Sequence, residues 1–254
     1  MVAIANQKGG VGKSTTSINL SAGLALQGER VLMIDLDPQG NASSGVGIDR
    51  GPIELSIYDV LLKSADIQDA IEPTAIRDLF VVPATIDLAG AEIELVSVFS
   101  REQRLRTALE TVSTDFDFVI VDCPPSLGLL TVNALAAAHE LLIPIQCEYY
   151  ALEGLTQLLS NVDMVRSNLN RGLELGGVVL TMYDGRTNLA KDVREQVNEF
   201  FGDKAYRTLI PRSVRLSEAP SYGEPIETFD PMSRGGIAYR QLTREFRARH
   251  GRED

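Results

Sequence analysis

Residues Lys8 to Thr15 read KGGVGKST, and these types in this order suit the binding of a phosphate chain. The backbone of Gly9, Gly10, Val11 and Gly12 can wrap closely and point several N–H groups inward. The segment directly follows an apolar run, MVAIAN, and directly precedes a helical pattern, so the positive end of a helix dipole adds to the anion site. Lys13 supplies a point charge to β- and γ-phosphates, the Ser14 hydroxyl can ligate Mg²⁺, and Thr15 is placed to reach an α-phosphate. The strict pattern GxxxxGK[ST] needs glycine at position 7, where this chain has Gln7. The rival reading is a Gly-rich turn that merely joins strand to helix, which leaves the Lys-Ser-Thr cap unexplained.

Carboxylates stand at the ends of two further apolar runs. VLMIDLDPQGN ends with Asp35 and Asp37, and FVIVDCPPS carries Asp122 before two prolines. In an open α/β sheet ligands bind outside the carboxyl ends of the strands, which puts all three near the phosphate loop. An aspartate placed as Asp122 typically supports Mg²⁺, often through water. Asp35 and Asp37 have a second reading as caps of the Pro-Gln-Gly turn. No guanine-reading NKxD-type signature occurs, which favours adenine as the base.

RVLMIDLD, DLFVVPA, FDFVIVDCPP, HELLIPIQC, LGGVVLTMY and AYRTLIP are strand-like runs. Helical stretches are expected at 14–28, 101–113, 127–138, 151–169 and 188–200. Continuously apolar strands alternating with helices predict one α/β domain over 1–254, a doubly wound, mostly parallel sheet covered on both faces. Residues 38–58 and 211–235, rich in Gly, Pro and Ser, read as functional loops. Two cysteines, Cys123 and Cys147, without CxxC spacing, argue against a disulfide framework or a zinc site and for core residues of a reducing cytosol. No signal peptide and no membrane-length apolar run is visible. The net charge of −11 opposes nucleic acid as a partner. Its distribution softens that, since residues 181–254 carry 13 Lys+Arg against 12 Asp+Glu.

A lysine directly before GGVGK resembles the deviant phosphate loop of the ParA/MinD family of P-loop ATPases, in which position 7 need not be glycine. The stretches DLDPQGNASSG, EYYALEGL (148–155), TMYDGRTNL (181–189) and IPRSVRLSEAPSYG (210–223) narrow the resemblance to the chromosomal ParA, or Soj, subgroup, nearly end to end. The resemblance implies an ATPase with ATP and Mg²⁺ as cofactors, working as an ATP-dependent homodimer. Lys8 then reaches the partner's nucleotide and joins Lys13 and Asp37 as the catalytic set, Asp37 orienting the attacking water. Asp35 becomes a supporting contact to the loop lysine or metal shell, and Ser14 and Asp122 hold the metal. Pro211 and Ser213 lie against adenine, Glu148 meets the partner's ribose, and Arg186 and Arg215 bind double-stranded DNA without sequence preference. A ParB-type centromere-binding protein is the implied partner, and the implied location is the cytoplasm, associated with the nucleoid. On local sequence alone Lys8 has a second reading as a solvated loop charge, and the arginines as ordinary surface charges.

Two rivals share the phosphate loop. A MinD-like membrane-cycling ATPase needs a terminal amphipathic helix with a broad apolar face. The last segment offers only Tyr239, Leu242 and Phe246 on one side, a stripe better suited to packing on the core. An amidoligase-like synthetase should show a further polar substrate pocket, and none is evident in the sequence.

Overall fold

A computed structural model describes residues 1–48, 51, 53–148 and 153–252. Its strands are β1 (Val2–Ile4), β2 (Val31–Asp35), β3 (Glu72–Pro73), β4 (Leu79–Val82), β5 (Phe118–Asp122), β6 (Glu140–Gln146), β7 (Glu174–Tyr183) and β8 (Ala205–Pro211). They form one sheet in the order β3-β4-β2-β5-β1-β6-β7-β8. All neighbours pair in parallel except the two-residue edge strand β3, which runs antiparallel to β4. The doubly wound expectation therefore holds.

The first helices are α1 (Lys13–Leu26), α2 (Asn41–Gly45), α3 (Ile57–Lys63), α4 (Leu88–Leu95), α5 (Arg104–Leu109) and α6 (Leu129–Ala137). They are followed by α7 (Glu153–Asn168), α8 (Asn188–Phe201), α9 (Val214–Glu218), α10 (Ile226–Phe229) and α11 (Arg234–Arg249). Because strand side chains alternate between faces, Leu32, Ile34, Val119 and Val121 pack into one apolar layer with α3 to α8. Val31, Met33, Ile120 and Leu142 pack into the other with α1 and α11. This two-sided burial is why the strands read as unbroken apolar runs.

Tyr239, Leu242 and Phe246 of α11 are fully buried in that second layer. The two stretches expected as loops are more ordered than their composition suggests. Residues 38–58 contain α2 and the start of α3, and 211–235 contain α9, a 3₁₀ turn, α10 and the start of α11. Of the stretch 148–155, residues 149–152 lie outside the described residues. No helix among the described residues is long and apolar enough to cross a membrane.

Candidate nucleotide site

β1 sits between β5 and β6, yet the chain leaves it for β2 on one side while β5 continues to β6 on the other. That reversal opens a crevice at the carboxyl ends of the strands, and the phosphate loop fills its floor. Gly10 and Gly12 adopt left-handed φ values of 74° and 90°, so the loop depends on glycine there. Gly12 caps α1. Two residues outside the motif, Asn6 and Thr181, pin the loop. Asn6 donates to the Pro144 carbonyl at 2.7 Å and accepts from the Lys8 N–H at 3.0 Å, and Thr181 Oγ1 donates to the Val11 carbonyl at 2.8 Å.

The crevice, about 730 Å³, is lined by Gly9, Gly10, Gly12, Lys13, Ser14 and Thr15, together with Asp37. Pro211 and Ser213 also line it, with Met182, which carries the uncommon φ of 51°. Val11 is buried beneath the loop and turns its side chain away from solvent. Lys13 is buried with its ammonium 3.1 Å from the Lys8 carbonyl. Burial pushes its pKa down, opposed by the carboxylates of Asp122 and Asp37. A desolvated lysine held in this way gains strongly from an anion.

Asp35 and Asp122 are register partners on β2 and β5 and are completely buried. Burial holds both carboxyls well above the usual carboxylate range; repulsion from Asp35 adds to it at Asp122, and repulsion from Asp37 adds to it at both. Asp122 Oδ1 accepts from the Ser17 hydroxyl at 2.7 Å, and Ser14 also favours its ionised form. Its other oxygen, Oδ2, is buried with no hydrogen-bond partner. An orphaned carboxylate oxygen beside the Ser14 hydroxyl suits a hydrated divalent cation, which would favour the ionised form. No cluster of three His, Cys, Asp or Glu among the described residues could itself hold a metal. The residues present thus fit Mg²⁺ carried by phosphate and water.

Asp35 departs from the expectation of a contact to the loop lysine or metal shell. Its oxygens accept from the Ser43 N–H and hydroxyl at 2.8 and 2.7 Å and from the Asp37 N–H at 3.0 Å. It therefore holds the start of α2 and the turn that presents Asp37, which is its turn-capping reading. Asp37 itself accepts from the Gln39 N–H at 3.0 Å and faces the crevice.

Lys8 is half-exposed and ion-paired with Glu148 of its own chain. Both lie outside the crevice lining, as do Arg186 and Arg215. The two arginines leave the carboxyl ends of the neighbouring strands β7 and β8. Arg186 grips Asp184 with two nitrogens at 2.9 and 2.6 Å, and Arg215 meets Glu218 at 2.9 Å and Asp230 at 3.2 Å. Exposed pairs of this kind contribute little stability. Cys123 and Cys147 are free thiols, the first buried and the second partly so.

Residues 1–175 match the family described as AAA domain. The chain is 58% identical over 98% of its length to the Bacillus subtilis sporulation initiation inhibitor protein Soj, covering 98% of that protein. It is 53% identical over 97% of its length to the Treponema pallidum chromosome-partitioning ATPase Soj, covering 96% of it. The chain belongs to the ParA/Soj family of chromosome-partitioning ATPases. Among solved structures, cobyrinic acid a,c-diamide synthase of Mycobacterium smegmatis, with bound ATP analogue and magnesium, matches at a TM-score of 0.83. That match has 40% identity and covers 95% of this chain and 91% of that one.

Proposed function

We propose that this chain is an ATP-dependent dimerising switch that binds DNA non-specifically and hydrolyses ATP to drive chromosome or plasmid partitioning with a ParB-type partner. The observation that carries this reading is the half-exposed Lys8 at the rim of a crevice that already holds Lys13, Ser14 and Asp37. A second lysine turned outward serves no phosphate in its own crevice, but it can serve one in a second copy.

Lys13 and the loop amides bind the phosphates and need no rearrangement to do so. Ser14 and Asp122 would hold Mg²⁺, directly or through water, and the ion would supply neutralisation of phosphate charge. Asp37 orients a water at the open side of the crevice. Pro211 and Ser213 frame the adenine. Arg186 and Arg215 exchange their carboxylates for DNA phosphates, a mode that salt weakens. The cell compartment of this reading is the cytoplasm, on the nucleoid. Burial of Tyr239, Leu242 and Phe246 leaves α11 without an apolar face for a membrane.

The synthase likeness supports a second reading, an ATP-dependent amidoligase, but identity to the partitioning ATPases is higher. Steady-state ATPase assays separate the two. Turnover that rises with long DNA and a ParB-type protein, with no carboxylate substrate, supports the switch. Turnover that requires a carboxylate and an amine donor, and ignores DNA, refutes it.

A further inference from the structure

Helix α4 buries Leu88, Ala91 and Leu95 against the core. Its other face is also apolar. Ile86, Ile93 and Val96 are 69%, 80% and 59% exposed, Ala89 lies exposed between them, and Phe99 just beyond is 92% exposed. Turns at either end continue the helical path, with Ala89 N–H bonding the Ile86 carbonyl at 2.9 Å and Val96 N–H the Ile93 carbonyl at 3.2 Å. The spacing 86, 89, 93, 96 alternates steps of three and four, the a/d seam along which one helix packs on another. Isolated exposed apolar residues are ordinary, but a contiguous seam marks an interaction surface.

The flanks of the seam say what covers it. Asp87 and Glu94 line one side and Glu92 the other. Tyr58 Oη donates to Glu94 at 3.0 Å and holds that charge in place. The nearby cations are engaged, Arg101 with Glu102 and the Val96 carbonyl and Lys63 with Asp59. A second copy laid along the seam would set acidic flank against acidic flank, which is costly at close quarters. We propose that the Ile86–Ala89–Ile93–Val96 stripe, extended by Phe99, is the docking surface for a basic amphipathic helix of a partner protein.

The surface abuts the loop that follows Asp122. Ser126 Oγ lies 3.5 Å from Glu92 Oε1, and Gly128 approaches that same oxygen so closely that a Cβ there would clash with it. A helix seated on α4 therefore bears on the segment that carries the metal-side carboxylate. An effect on hydrolysis rests on the function proposed above; the docking does not.

The test uses the full chain and three labelled synthetic peptides of about four heptads each. One has leucine at a and d with Lys and Arg on the flanks, one has Glu on the flanks, and one is a scramble of the first. Fluorescence anisotropy should show binding of the basic helix alone. Ile93→Asp should weaken it at least tenfold while leaving thermal stability and ATP binding unchanged. Glu94→Lys with Asp87→Lys should weaken the basic helix and admit the acidic one. Equal binding of the scramble, or indifference to Ile93→Asp, overturns the proposal. So does a wild-type self-association in sedimentation that Ile93→Asp abolishes, since a second copy would then be the occupant.

Discussion

Replacing Lys13 by methionine keeps the stem and removes the charge at the centre of the phosphate site. Lys13 is buried, already hydrogen-bonded into the loop, and lowered in pKa by burial. It thus makes a pre-organised, charge-assisted contact whose loss costs about 3 kcal/mol, roughly two orders of magnitude in nucleotide affinity. At an ATP concentration of about 100 times the wild-type Kd, ligand binding stabilises the fold by about 2.7 kcal/mol; a hundredfold weaker variant keeps about 0.4. For a chain of this size that difference removes about 5–9 °C of ATP-induced shift in Tm. The nucleotide-free Tm should move little or rise, because a desolvated charge disappears along with a bond to the Lys8 carbonyl. Differential scanning fluorimetry with and without Mg-ATP reads both quantities. An undiminished ATP shift in Lys13→Met would refute the site. A large drop in nucleotide-free Tm would make Lys13 a structural residue instead.

Asp37→Ala should leave ATP affinity within about threefold and slow hydrolysis by at least 10²-fold, trapping an ATP-bound dimer in sedimentation; finding monomer alone with ATP counts against the shared site. Tyr239→Phe leaves the buried Thr16 hydroxyl, 3.1 Å away, without its partner, and should cost about 1–2 kcal/mol in urea unfolding. His250 is held above its ordinary pKa: burial opposes this, and hydrogen bonds to Glu140 and the Phe246 carbonyl outweigh it. Its contribution is complete below the unfolded value of about 6.5 and fades as pH rises through the folded one. The stability advantage of wild type over His250→Ala should therefore shrink from pH 6 to pH 8 (roughly one unit either side of neutrality), and an advantage that grows would contradict the pairing.

Much of the fold was legible because β2, β5, β6 and β7 are buried on both faces, which gives unbroken apolar runs that local chemistry alone can generate. Helix α4 was not, for the same reason that makes it interesting. Apolar residues on its buried and exposed faces together erase the one-sided period that marks an amphipathic helix. The edge strand β3, two residues long and containing Pro73, gives no period at all. In the site, the glycines and Lys13 announce their chemistry in eight consecutive residues. Asn6 and Thr181 do not, because their contacts to Pro144 and Val11 join residues 138 and 170 positions apart. Ser17 is equally silent, reading as one more helical residue until β5 brings Asp122 within 2.7 Å of it. Asp35 shows the limit of a spacing argument. Two carboxylates at i and i+2 look alike in sequence, yet one turns inward to Ser43 and the other faces the crevice.

A gel shift on long double-stranded DNA with ATP, ADP or no nucleotide tests nucleotide, dimer and DNA together. The account predicts retardation with ATP, none with ADP or without nucleotide, and its loss in Arg186→Glu despite intact ATP-dependent dimerisation. Retardation that is independent of nucleotide, or undiminished in Arg186→Glu, would contradict it.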